Sequence, residues 1–304
     1  MSTTYNTILD DMKKSLKQAY KTALSYFLAN LGMLIVVVLL ALLIAIPVAA
    51  VAWVALAPLS EASMEAMAVW AADNPLVLGG IGLLVLVPLV SMFLVISGSI
   101  YGMSYDLVTT GDTKAETAFS YLRRKFLTFL STGAVLTIIV VIPPVIAWGL
   151  ASYALGYTIT AAVSTLLTIF TFVWIFITAG LTSMVFPAVV SGKGVQTAFK
   201  ESFSLSTRYF DRIYGTLSAI VILLAITFGP IIALGLSLAP YASATMIPWA
   251  FLPAIAFVAI YTVICVFLWL LLFLPMVRIA WVRVYQELTG GQVASLVAQD
   301  VPIV

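Results

Sequence analysis

Long apolar runs alternate with short polar ones along this chain, and the alternation predicts helices of two kinds. Six apolar segments, at about 27–57, 76–108, 127–151, 159–190, 212–238 and 248–286, are each longer than the roughly 20 residues that a helix needs to cross a bilayer. Charged islands separate some of them. In residues 111–126, GDTKAETAFSYLRRKF, Ala115, Ala118, Phe119, Leu122 and Phe126 recur at helical spacing on one face, with Lys114, Arg123 and Arg124 off it. This is the pattern of a helix lying along a membrane surface, and Thr113 with Glu116 reads as its capping box. Residues 192–210, GKGVQTAFKESFSLSTRYF, repeat the Thr-Ala-Phe core, Thr197, Ala198 and Phe199 answering Thr117, Ala118 and Phe119. The N-terminal segment has the same character, with Ile8, Met12, Leu16, Tyr20 and Leu24 on one face and Asp10, Lys14, Lys17 and Lys21 on another.

The repetition extends into the apolar segments. SGSIYGMSY (97–105) and TAGLTSMVF (178–186) place small residues at the same steps, and Pro143-Pro144 and Gly229-Pro230 fall at similar places in later segments, as does Pro47 in the first. The expected architecture is therefore all-α and polytopic. Six transmembrane helices form three parallel repeats, each an amphipathic helix plus a helical hairpin, because units with an even number of spans all insert in one sense. One transmembrane domain covers 1–304, with repeat units at about 1–108, 109–190 and 191–290 and a tail at 291–304. Prolines within spans should bend them and free carbonyls for neighbouring helices to satisfy. Gly98-xxx-Gly102 and Ala179-xxx-Ser183 should let helix backbones approach within the bundle.

Composition agrees with this class: the chain is 63% apolar and only 9% charged, whereas soluble domains carry roughly 25% charged residues. Charge adds orientation. All 14 Lys and Arg lie in or beside the segments 1–26, 109–126, 191–211 and the region after 277, while the opposite loops carry only Glu61, Glu65 and Asp73. By the positive-inside rule both termini are expected in the cytoplasm, in a multi-pass protein of the cell membrane. The inner face then holds 14 cations against 9 acids, a balance that favours anionic headgroups. Trp53, Trp70, Trp148, Tyr153, Tyr157, Tyr241 and Trp249 are expected in an outer aromatic belt. Trp174 and Trp269 fall near mid-depth, where an indole N–H needs a partner.

Candidate chemistry is sparse. There is no His, and the single Cys265 sits in an apolar run, so neither a disulfide framework nor a His and Cys metal site is available. No Gly-rich phosphate loop or nucleophile motif appears. The central turns of the six segments carry no ionisable residue, although coupled transport usually leaves one there. Arg283 and Glu287 are spaced to pair along one helix, and Asp106 with Arg278 is a candidate interhelical ion pair.

The stretches SGSIYGMSYDLVTTGDTKAETAF and SMVFPAVVSGKGVQTAFKESF, small-residue helix ends running into a Gly-containing turn and an amphipathic helix with Phe, carry a family resemblance. In them the chain resembles a prokaryotic, largely archaeal, group of six-span proteins similar to the membrane domain attached to some glycerophosphodiester phosphodiesterases. The resemblance implies a membrane-embedded module and carries over no functional residue; no phosphodiesterase domain is present in the sequence. It is unlike the mitochondrial carriers, since Pro47, Pro144 and Pro230 are followed by apolar residues instead of an acid and a base.

The expected function is that of a non-enzymatic accessory or scaffold module, binding membrane lipids or other membrane proteins through a basic cytoplasmic face. The residues of that face are Lys14, Lys17, Lys21, Arg123, Arg124, Lys125, Lys200, Arg208 and Arg212. Anionic lipid headgroups are the expected partners, with other membrane proteins or a second copy as further ones; no catalytic residue, cofactor, metal or nucleic acid is expected. The alternative is an uncoupled transporter or channel for an apolar or lipid-like solute, lined by Ser97, Ser99, Thr178 and Thr182.

Overall fold

The computed structural model describes residues 5–56, 61–238 and 252–294, and among these it contains helices and turns but no strand. Tyr241, Trp249 and the tail beyond 294 lie outside the described residues. The helices are α1 (Tyr5–Lys21), α2 (Ala23–Leu56), α3 (Glu61–Asp73), α4 (Pro75–Thr110), α5 (Ala115–Leu136), α6 (Ile142–Ala154), α7 (Ala161–Thr182), α8 (Val185–Val190), α9 (Val195–Arg208), α10 (Phe210–Leu238), α11 (Leu252–Leu268) and α12 (Leu274–Thr289). Short π-helical stretches, Thr137–Val141 and Trp269–Phe273, join α5 to α6 and α11 to α12.

Among the described residues six helical runs are long and apolar enough to cross a membrane: Ala23–Leu42, Pro75–Thr110, Ala115–Ala154, Ala161–Val190, Phe210–Ser237 and Pro253–Thr289. The fold is thus all-α and polytopic. The segment after the first span contains the short helix α3.

Packing groups the described residues into two compact units, one from Met1–Leu28, Met103–Ala115 and Ser204–Val304, the other from Ala29–Gly102 and Glu116–Phe203.

In the unit formed by Ala29–Gly102 and Glu116–Phe203, aromatic side chains of α5 seat on glycines of α4. A Cβ at Gly98 would lie 2.5 Å from Cδ1 of the fully buried Phe129, and one at Gly102 would overlap the Tyr121 ring. The Gly98-xxx-Gly102 pair therefore receives two rings, not a second backbone. Close backbone approach occurs instead at Gly133 of α5, where a Cβ would stand 3.0 Å from the Ser91 carbonyl oxygen.

Each π-helical stretch is capped at its C-terminal end by a residue followed by proline, Ile142-Pro143 and Leu274-Pro275. Pro143 has no N–H to donate to the carbonyl of Ile139, four residues earlier. That carbonyl instead accepts a hydrogen bond from Trp174 Nε1 of α7 at 3.0 Å. The freed carbonyl and the mid-depth indole, two separate needs in the sequence, meet each other's. Trp269 differs: it packs against Phe228 and Phe273, and its Nε1 has no hydrogen-bond partner among the described residues.

The Thr113–Glu116 capping box does not form. Helix α5 begins at Ala115, one residue later than a Thr113 cap requires, and Thr113 is buried with no partner on its hydroxyl among the described residues. Its backbone N–H is held by Asp112 Oδ1 at 2.8 Å. Glu116 still lies in the first turn of α5, where a carboxylate is favoured by the helix dipole.

Candidate functional site

Helix α1 carries three stripes, and their placement defines the site. Asp11, Ser15 and Gln18 are spaced to share one face of the helix, and all three are buried, together with Ile8 and Ala19. That face packs on α12. The apolar stripe points the other way: Tyr5 is 71% exposed, Tyr20 74% and Leu24, at the start of α2, 70%, with Leu9 and Leu16 also exposed. Lys13, Lys17 and Lys21 occupy the exposed ground between them. A soluble protein buries the apolar stripe and wets the polar one. Here one polar row is buried and most of the apolar stripe is exposed, which is stable where the medium outside is itself apolar.

The buried face of α1 is held by charge. Asp11, 5% exposed, is in ion-pair contact with Nη2 of Arg212, 8% exposed, at the start of α10. The same Nη2 donates to Glu287 Oε2 of α12 at 2.8 Å. Arg283 lies 3.9 Å from the other Glu287 oxygen, which is the helical i, i+4 pair expected from the sequence. One guanidinium thus bridges two carboxylates on two further helices. Burial, with the negative Glu287 adding to it, pushes the Asp11 carboxyl up to about 6 from its ordinary 3.8, against the opposing pull of Arg212 and Arg283. Arg283 keeps Nε and Nη1 buried with no hydrogen-bond partner among the described residues.

The basic residues named from the sequence divide into two sets. Lys17, Lys21, Arg123, Arg124, Lys200 and Arg208 are exposed. Lys14 is half-buried and pairs with Asp10 at 2.6 Å, an ordinary surface pair, and Arg208 lies 5.4 Å from the Tyr209 ring centroid. Two others are held by the protein. Arg212 is the bridge just described. Lys125 sits at a break in α5, where its own φ of −124° and ψ of 19° leave the helical region. Its ammonium donates to the carbonyls of Val189, at 2.6 Å, and Val190, at the end of α8. A cation there satisfies last-turn carbonyls and the negative end of the helix dipole. Asp106 and Arg278 are both half-buried in the unit that contains α1.

Neighbouring polar groups are also engaged. Ser202 Oγ of α9 donates to the Leu181 carbonyl at 2.6 Å and accepts from the Met184 N–H at 3.2 Å, holding the turn between α7 and α8. Ser99, Thr178 and Thr182 donate their hydroxyls to the carbonyls four residues back in their own helices.

Sequence reasoning placed Arg212 among surface cations and did not single out Asp11. A signal was available. Asp11, Ser15 and Gln18 form a second polar row, distinct from the lysines, and a helix with two polar faces has one to bury. Comparison of the chain with protein-family models, with curated proteins and with solved structures finds no match in any of the three.

Proposed function

We propose that this protein is a non-enzymatic module of the membrane that gathers anionic lipid headgroups, and through them membrane partners, on a basic surface formed by its amphipathic helices. The observation that carries the reading is the outward apolar stripe of α1, flanked by exposed lysines, on a helix whose polar row is turned into the protein. A helix so placed lies in the interface with its apolar side toward acyl chains and its cations at headgroup level. Arg123, Arg124, Lys200 and Arg208 supply exposed cations of the same kind on the other amphipathic segments. In this reading the basic segments share the cytoplasmic leaflet, as their charge asymmetry favours. The alternative, an uncoupled transporter or channel for an apolar or lipid-like solute, draws no support from Ser99, Thr178 and Thr182, whose hydroxyls are engaged on their own helices.

The test is charge reversal of the exposed set, Lys17, Lys21, Arg123, Arg124, Lys200 and Arg208 to Glu, leaving Lys125 and Arg212 in place. Protein reconstituted with equal parts phosphatidylglycerol and phosphatidylcholine is extracted, and the retained lipid is quantified by native mass spectrometry. Each reversal is expected to lower the phosphatidylglycerol preference roughly fivefold at low salt, from about 1 kcal/mol per cation near an anionic surface. An unchanged ratio would remove the basis of the proposal.

A further inference from the structure

An apolar groove of about 480 Å³ opens between α1 and α10, and among the described residues only one charged side chain, Lys13, touches it. Leu9, Met12 and Leu16 of α1 form one wall, Ile222 and Ile226 of α10 the other, and Phe273 and Met276 lie behind. The floor depends on the absence of a side chain: a Cβ at Gly215 would come within 2.5 Å of Ile8 Cδ1. From Gly215 to Ile226 the groove follows three turns of α10, about 16 Å at the helical rise. That matches one leaflet, half of the roughly 30 Å hydrocarbon core. Its α10 wall belongs to a membrane-spanning run, and Ile222 and Ile226 are exposed on it. Lys13 stands on the basic stripe of α1, beside Lys14 and Lys17.

We infer that this groove holds one acyl chain of a single anionic phospholipid, with its phosphate at Lys13. An apolar α10 wall one leaflet long recognises the chain, and Lys13, the charged side chain that lines the groove, selects the headgroup. The inference rests on the proposed lipid-gathering function and deepens it by assigning a defined site.

Wild-type protein is reconstituted with phosphatidylglycerol bearing a photoactivatable acyl chain, diluted in phosphatidylcholine, and cross-linked peptides are mapped by mass spectrometry. Adducts should concentrate on residues 8–16 and 218–226 and be displaced by unlabelled phosphatidylglycerol. Ala219→Phe, which fills the groove, should abolish that concentration, and Lys13→Glu should weaken displacement by phosphatidylglycerol about fivefold. Adducts spread evenly over other outward-facing spans, such as those bearing Leu84 and Leu166, would overturn the site, a result obtained on wild-type protein and independent of how either variant folds. Equal displacement by phosphatidylcholine would overturn the anionic ligand. Either failure is separable from that of the broader reading, since charge reversal of Lys17, Arg124 and Lys200 leaves this groove untouched.

Discussion

Asp11 holds α1 to the protein with a carboxylate that is close to taking up a proton at neutral pH. Its folded-state value of about 6 lies above the ordinary 3.8, so the folded protein takes up the proton first as pH falls. The stability linked to this group is complete below the unfolded value and is lost as pH rises through about 6. Relative to Asp11→Asn, the wild type should therefore gain stability between about pH 7.5 and pH 5. About half of the limit, on the order of 3 kcal/mol for two pKa units at about 1.4 kcal/mol each, falls in that window, and the rest follows as pH drops below 5. At neutral pH Asp11→Asn should cost little, because it replaces a disfavoured charge. Arg212→Gln should cost more, on the order of 3 kcal/mol, because it strips the shared cation from two carboxylates. Tm measured in detergent across pH checks both, and a larger loss for Asp11→Asn than for Arg212→Gln at pH 7 would contradict this ranking.

Among the elements, the proline-containing spans carry the sharpest dependence. The Ile139 carbonyl has lost its helical donor to Pro143 and is satisfied by Trp174. Trp174→Phe should cost about 1 kcal/mol by leaving it unpaired. In a Pro143→Ala background, where an N–H returns at the i+4 position, the same change should cost measurably less. A double-mutant cycle read by unfolding in mixed micelles isolates that coupling, and additive losses would show that the indole contributes packing alone.

What the sequence discloses at this scale follows physical rules of unequal strength. Six spans and the amphipathic rows are legible because length and periodicity are collective signals; a single residue cannot disguise them. The direction in which an amphipathic row points is not legible, since Leu9 and Leu16 read alike whether they meet protein or lipid. For the same reason Asp11 and Arg212 look like surface charges until α1, α10 and α12 are brought together. Gly98 and Gly102 mark close approach correctly but not what approaches, because a ring and a backbone both require the missing Cβ. Thr113 fails as a cap for a local reason: the turn places its hydroxyl inside and starts the helix after it.

For the whole molecule, an interfacial α1 is meaningful only if the basic segments share one leaflet. The absence of Lys and Arg from the segments between the first and second, third and fourth, and fifth and sixth spans is the charge asymmetry from which that topology is proposed. It can be measured directly. In a Cys265→Ser background, single cysteines replace Lys21, Arg124, Arg208 and Glu65, and a membrane-impermeant maleimide is applied to intact cells and to inverted vesicles. The account predicts labelling of the first three only in inverted vesicles and of the Glu65 position only in intact cells. Labelling of any of the first three from outside the cell would contradict it.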